Sequence, residues 1–270
     1  MRITTWNINS VRLRIGLVER FLAEHAPDVL CLQEIKCLND QFPYKAFAAA
    51  GYPHAAVHGQ KGYHGVATVS RAPLDEIGPT RFCGQDDCRH IATGHALPSG
   101  KSVTVHNFYV PAGGDEPDPA RNGKFAHKLA FMDEMSAMFA GLKDRPAVIV
   151  GDLNVAPGEH DVWSSKQLAR VVSHTPVERE AMAGMIRAGG LVDVARRLVP
   201  ANEKLYSWWS YRAKDWRASN RGRRLDHVWV TAPLEAAALA GGRPAFRIHE
   251  DARGWEKPSD HAPVTLDLAA

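Results

Sequence analysis

Hydrophobic and polar positions alternate along the chain in two different periods, and the places where the period changes mark the elements. Val29-Leu30-Cys31-Leu32 and Ala147-Val148-Ile149-Val150 are unbroken apolar runs of strand length, the pattern of strands covered on both faces. A helical pattern precedes each. Val11 to His25 carries Ile15, Val18 and Leu22 on one face and meets Pro27; Lys124 to Leu142 carries Phe125, Leu129, Met132 and Met135 roughly in register. Before these helices come the strands Arg2 to Ile8 and Ser102 to Val110, the latter with Val103, Val105, Asn107 and Tyr109 on one side. The runs end in Gln33-Glu34 and in Gly151-Asp152-Leu153-Asn154. Strand, helix, buried strand and acid thus occur twice, which predicts two related halves facing each other. Further strands are predicted at Val66 to Ser70, His90 to Ala96, Leu225 to Val230 and Ala262 to Leu268, and a helix around Glu178 to Ala188. Alternation of strands and helices with no low-complexity linker predicts one α/β domain over residues 1–270.

Composition narrows the class. With 45% hydrophobic and 23% charged residues over 270 positions, the chain has an ordinary globular make-up and length for a sizeable core. No run approaches the roughly 18 apolar residues of a membrane span. Met1 to Trp6 lacks the apolar stretch of a secretory signal, so the expected location is the cytoplasm, with no membrane partner. No helix shows a coiled-coil repeat, and a monomer is the default. Four cysteines are too few for a disulfide framework. Cys83-x4-Cys88 followed by His90 is a loose zinc-type spacing with no second cysteine pair, and ordinary reduced thiols are expected. The net charge of +3 says little, but its distribution says more. Between Lys204 and Arg224, Lys204, Arg212, Lys214, Arg217, Arg221, Arg223 and Arg224 face only Asp215, interleaved with Tyr206, Trp208, Trp209, Tyr211 and Trp216. Phosphate binding with base contact needs such a stretch; a solvated loop over buried aromatics gives the same pattern.

Four acids fall at strand ends: Glu34, Asp152, Asp226 and Asp260. One such acid usually marks only the return to solvent. Here each has polar company: Asn7 and Asn9 for Glu34, Asn154 for Asp152, His227 for Asp226, His261 for Asp260. Hard oxygen donors of this kind suit magnesium, and no cysteine or paired histidine stands at zinc spacing among them.

Trp6-Asn7-Ile8-Asn9, Leu32-Gln33-Glu34, Asn107-Phe108-Tyr109-Val110-Pro111, Gly151-Asp152-Leu153-Asn154, Arg224-Leu225-Asp226-His227 and Ser259-Asp260-His261 run in that order from residue 6 to 261. In these segments the chain resembles the exonuclease III and abasic-site endonuclease family, within the endonuclease–exonuclease–phosphatase superfamily. The resemblance implies a deoxyribonuclease-like four-layer α-β-β-α sandwich, two packed mixed β-sheets flanked by helices, with the site at one end of the sheets. It implies that Glu34, with Asn7 and Asp260, holds Mg2+, for which Mn2+ can substitute. It implies that Asp152 orients the attacking water beside Asn154. It further implies that His261 binds or polarises the phosphate with Asp226 fixing its ring, and that Tyr109 contacts the phosphate or leaving group. Which of Asp152 and His261 is the base is left open. Segments resembling Trp208-Trp209 and Leu225 wall the pocket for an extruded sugar, while Tyr63, Arg89, Lys214 and Arg221 fall where the family contacts DNA.

Two positions depart from the family. Arg223 stands where relatives are usually apolar, giving a less greasy wall. Ala112 stands where many carry an amide. Ser173, being small, leaves room for a sugar. The implied substrate is double-stranded DNA, cut 5′ to abasic sites or trimmed of nucleotides and blocking groups at 3′ ends. The alternatives are a superfamily phosphoesterase for RNA, phosphoinositide or sphingolipid head groups, and a non-catalytic DNA-binding scaffold. The basic–aromatic segment argues against lipid, and the full set of acids argues against a scaffold.

Overall fold

The structure, a computed structural model, describes residues 1–97 and 99–269. One sheet contains β1 (Arg2–Asn7), β2 (Val29–Gln33), β3 (His54–His58), β4 (Val66–Ser70), β13 (Phe246–Ile248) and β14 (Val264–Asp267), in the order β13-β14-β1-β2-β4-β3. The other contains β5 (Asp75–Gly78), β6 (His90–Ala96), β7 (Ser102–Tyr109), β8 (Ala147–Asp152), β9 (Leu191–Asp193) and β12 (Asp226–Thr231), in the order β5-β6-β7-β8-β12-β9. A short hairpin, β10 (Trp208–Trp209) with β11 (Gly222–Arg223), stands apart.

The apolar runs explain the layering. Along β2, Val29 and Cys31 point to one side, and along β8, Val148 and Val150 do; with Val105, Val228, Val230 and Val264 they form the core between the sheets. The alternate residues face outward. Leu30 and Leu32 pack on Val18, Phe21 and Leu22 of the helix Ile15–His25. Ile149 and Trp229 pack on Phe131, Met135 and Phe139 of the helix Gly123–Ala140 and on Met182 and Met185 of the helix Pro176–Gly189. Helices, sheet, sheet, helices: the four-layer α/β sandwich is what these two-faced strands require. Burying each such aliphatic side chain contributes about 1.5–3 kcal/mol before entropy is counted.

The two halves are built alike. β1 and β2 run parallel around the first helix, and β7 and β8 run parallel around the second. Other pairings are antiparallel, including β12 on β8 with Asp226 opposite Asp152. Both parallel pairs end at the same end of the molecule, so Asn7, Gln33, Tyr109, Asp152 and Asp226 all arrive there. Gly151 has φ +141°, and a Cβ on it would lie 1.9 Å from the Phe108 carbonyl oxygen, so only glycine allows β8 to pass β7 there.

The structure differs from the sequence expectations at a few places. The first helix starts at Ile15 and not at Val11, because Asn9 and Ser10 take positive φ and Ser10 and Val11 donate their amides to Glu34 and Ile35. Ala26, in the left-handed conformation, closes that helix before Pro27. In the second helix, Leu129 is only half-buried, and Lys128 stands fully buried beside Phe125 and Phe131.

Candidate active site

The polar end of the inter-sheet space begins with Gln33 and Asn107. Gln33 Nε2 donates to Thr5 Oγ1 and to Asn107 Oδ1, and Asn107 Nδ2 donates to the Leu32 and Ala67 carbonyls, tying the sheets together. Above them lie the chemical groups. Asn7 Nδ2 donates to Glu34 Oε1 and to Asp152 Oδ2, each at 2.9 Å, and so links the acid of one half to the acid of the other. Tyr109 donates its hydroxyl to the same Glu34 oxygen at 2.9 Å. Glu34 holds φ of +50°, unfavourable for a residue with a long side chain, and Asn154 holds +53°, a left-handed conformation that asparagine tolerates.

Asp152, Asp226 and His261 each place an atom within 4.8 Å of the others. His261 Nδ1 faces Asp226 Oδ2 at 2.8 Å, and its Nε2 lies 3.7 Å from Asp152 Oδ2. Since a carboxylate only accepts, Nδ1 carries a proton and Nε2 is turned toward Asp152. Burial alone would favour neutral imidazole, but Asp226 and then Asp152 overcome it and raise the His261 pKa. Burial drives the Asp152 carboxyl up to about 7, with His261 pulling it down and Asp226 pushing it up. Asn154 donates its backbone amide and its side-chain amide to the two Asp152 oxygens. Burial also carries the Tyr109 hydroxyl well above its ordinary value, Glu34 adding to the effect.

Glu34 already faces a cation, a lysine. Its Oε2 meets the Lys36 ammonium at 2.8 Å. Burial works against its charge, yet Lys36 and the Asn7 hydrogen bond bring its pKa below the usual carboxylate value. The sequence does not single out Lys36, which takes the Glu34 oxygen that Asn7 and Tyr109 leave free. The other two expected metal holders are differently engaged. Asn7 braces the two acids through its amide nitrogen while its oxygen takes the Asn9 amide. Asp260 accepts from Trp208 Nε1 at 2.9 Å and from Asn9 Nδ2 at 3.2 Å.

These groups open into a cleft of about 600 Å³. Glu34, Tyr109, Asp152, Asn154, Asp260 and His261 form one end, and Trp163, Ser173, Trp208, Arg221, Arg223 and Leu225 line the rest. Trp208 pairs across the hairpin with Arg223, whose guanidinium carbon lies 5.3 Å from its ring centre. Arg223 Nη1 then donates to the Val172 carbonyl and to Ser173 Oγ at 2.7 Å, so the position taken as room for a sugar has an arginine across it. Arg221 stacks on Trp163 at 4.7 Å. The remaining expected contacts do not reach the cleft wall. Trp209 is buried, gives its Nε1 to Asn220 and packs on Tyr206 and Trp216. Arg89 is buried beneath the Tyr109 ring, paired with Asp87 and donating to the Tyr109 carbonyl. Tyr63 and Lys214 are exposed on loops outside the cleft lining.

Ser207, another residue the sequence did not single out, donates to Asp226 Oδ2 at 2.6 Å and accepts the Leu225 and Asp226 amides. An isolated serine in a loop carries no periodic signal by which to find it.

Residues 4–261 match the sequence profile of the Endonuclease/Exonuclease/phosphatase family. The chain belongs to this family. Within it, the chain is 33% identical to exodeoxyribonuclease III of Haemophilus influenzae, over 99% of this chain and 100% of that protein. Its fold is similar to an AP endonuclease from Archaeoglobus fulgidus, with a TM-score of 0.89, 31% identity and full coverage of both chains. It is also similar to the 3′ phosphatase NExo from Neisseria bound to a product DNA hairpin, with a TM-score of 0.88, 30% identity and full coverage of both.

Proposed function

We propose that the protein is a divalent-metal-dependent DNA-repair hydrolase, cutting the backbone 5′ to abasic sites and clearing nucleotides or blocking groups from 3′ ends. The observation that carries this reading is the opposition of Asp152, His261 and Asp226 to Glu34 at one end of a cleft with a tryptophan–arginine wall. The relatives named above, an exodeoxyribonuclease, an AP endonuclease and a 3′ phosphatase, support both halves of it.

The donor set fits a hard divalent ion, Mg2+ with Mn2+ as substitute: Glu34 already attracts a cation, and the surrounding groups are oxygen and amide donors without thiolate. Held at Glu34, the ion would neutralise phosphate charge and stabilise the departing 3′ oxygen. Asp152 is the base: it is kept by Asn154 with an oxygen toward the cleft, and its raised pKa makes it a better proton acceptor from water than an ordinary carboxylate. His261, held cationic by Asp226, donates from Nε2 to a phosphate oxygen. Tyr109 stays a phenol and donates its proton toward the phosphate once displaced from Glu34. Trp208 and Leu225 supply an apolar surface for the base-free sugar, whose extrusion is least costly where a base is already missing.

The test is cleavage of a 5′-labelled duplex carrying one stable abasic analogue, with magnesium or with chelator, beside Asp152→Asn. A single metal-dependent cut at the lesion, reduced about 10²–10⁴-fold in the variant, is the expected result. Trimming of 3′ ends without the internal cut keeps the chemistry and assigns Arg223 the role of excluding the sugar. No hydrolysis of either substrate overturns the reading.

A further inference from the structure

The cysteine spacing noted in the sequence does not assemble. His90 faces His106 at 3.1 Å, and Cys83 takes its place beside Glu134 through its backbone amide. The fold brings other groups to Cys88. His58, at the end of β3, together with Asp86 and Cys88, places one donor atom each within 4.8 Å of the others, away from the cleft.

Each of the first two is oriented from behind. His58 Nδ1 lies 3.1 Å from the His90 carbonyl, which can only accept; Nδ1 therefore carries the proton, and the Nε2 lone pair faces the cluster, 3.8 Å from Asp86 Oδ1. Arg81 donates to Asp86 Oδ2 at 3.1 Å and leaves Oδ1 turned inward. Cys88 is held at φ +51° with its side chain largely shielded, its Sγ 3.5 Å from the Gly59 carbonyl. A histidine with its second nitrogen anchored on a carbonyl, and a carboxylate anchored on an arginine, is how protein ligands are set for a metal.

We propose that His58, Asp86 and Cys88 form a second metal site, selective for a thiophilic divalent ion such as zinc, with solvent water as fourth ligand. Nitrogen, sulfur and oxygen donors in a four-coordinate arrangement match zinc, whereas magnesium has no use for the thiolate. On binding, the Cys88 thiol gives its proton to solvent. The ion ties the end of β3, just before the loop carrying Tyr63, to the segment that leads into Arg89 and thus to the prop under Tyr109.

Protein stripped with chelator and returned to excess magnesium is titrated with Co2+, following the near-ultraviolet thiolate-to-cobalt charge-transfer band, and then with competing Zn2+. The band is expected to saturate at one equivalent and to be bleached by zinc. Cys88→Ser abolishes it, Cys83→Ser leaves it intact, and Asp86→Asn weakens binding by about tenfold or more. Asp86 is 58% exposed at its side chain, so that variant does not threaten folding. Absence of the band, its survival in Cys88→Ser, its loss in Cys83→Ser, or unchanged affinity in Asp86→Asn would each overturn the site. The acidic cleft holds no thiolate and gives no such band, so neither outcome bears on the hydrolase reading.

Discussion

Asp226 does not itself line the cleft; it acts through His261 Nδ1, while Ser207 fixes the same carboxylate oxygen. Its charge is what keeps His261 cationic against burial. Asp226→Asn keeps the shape and removes the charge. The His261 pKa then falls, so the imidazolium is lost at a lower pH and the basic limb of the kcat–pH profile moves down. The expected cost in kcat is about 10–100-fold, with the far-ultraviolet spectrum unchanged. A profile whose basic limb stays in place would mean that His261 is not the titrating donor. Arg223 poses a second residue-scale question, since its guanidinium spans from Trp208 to Ser173, where the proposed abasic cleavage requires an uncharged sugar to enter. Arg223→Leu restores an apolar wall and frees the Ser173 side. The ratio of abasic cleavage to 3′-phosphate removal should rise by about tenfold or more, the worth of one hydrogen bond to a charged group. Equal effects on both substrates would make Arg223 a structural stay of the hairpin.

At the scale of elements, the paired strand–helix–strand units were readable because β2 and β8 are buried on both faces, and their first four positions are all apolar. The acids at their ends were readable for the same reason, being the first charges after an apolar run. Burial set by how loops fold back on themselves was not readable. Arg89 and Trp209 have the side chains of nucleic-acid contacts, yet Asp87 and Tyr109 claim the one, and Tyr206, Trp216 and Asn220 the other. Lys128 was unreadable for another reason, since a helical period counted in apolar residues passes over a lysine. Its ammonium, fully buried, donates to Glu178 Oε1 and to the Asn154 carbonyl at 2.7 Å. Glu178 in turn accepts from the backbone amides of Ser173 and Thr175. One ion pair between two helices thus braces both the Asp152–Asn154 turn and the Ser173 rim of the cleft. Lys128→Met leaves Glu178 charged and unpaired in the interior, and should lower unfolding free energy by about 3–5 kcal/mol in a urea titration. Adding Glu178→Gln removes that stranded charge and should recover part of the loss. A double variant no more stable than the single one would show that the brace, and not the stranded charge, dominates.

The whole molecule carries its pH sensitivity in histidines that sit neutral in the interior. Burial pulls His64, His95, His106, His227 and His249 each down to about 4, with Arg89 adding to the effect at His64. Three stand on strands of one sheet, His95 on β6, His106 on β7 and His227 on β12, and His64 and His249 stand on loops. Each has a folded pKa below the ordinary histidine value, about 6.5. The unfolded chain therefore binds more protons than the folded one between about pH 4 and 6.5, and stability must rise with pH across that window. Asp152, raised to about 7, works in the opposite sense, because the folded protein holds its proton where the unfolded chain has lost it. Glu250, raised by burial, works in the same opposing sense, and these two carboxyls do not offset five histidines. The melting temperature of the metal-free protein should thus fall steeply from pH 6.5 to 4, well before most exposed carboxylates titrate. A magnesium-saturated sample should show the same acid loss, since none of the five lies among the groups that would hold the ion. His106→Gln tests the assignment directly: it removes one titrating group from the sheet interior and should flatten the slope between pH 4 and 6.5 while lowering the stability reached at pH 6.5. A melting temperature that is level across this range would mean that the interior accepts imidazolium, and that the acid limit of the fold lies with its carboxylates instead.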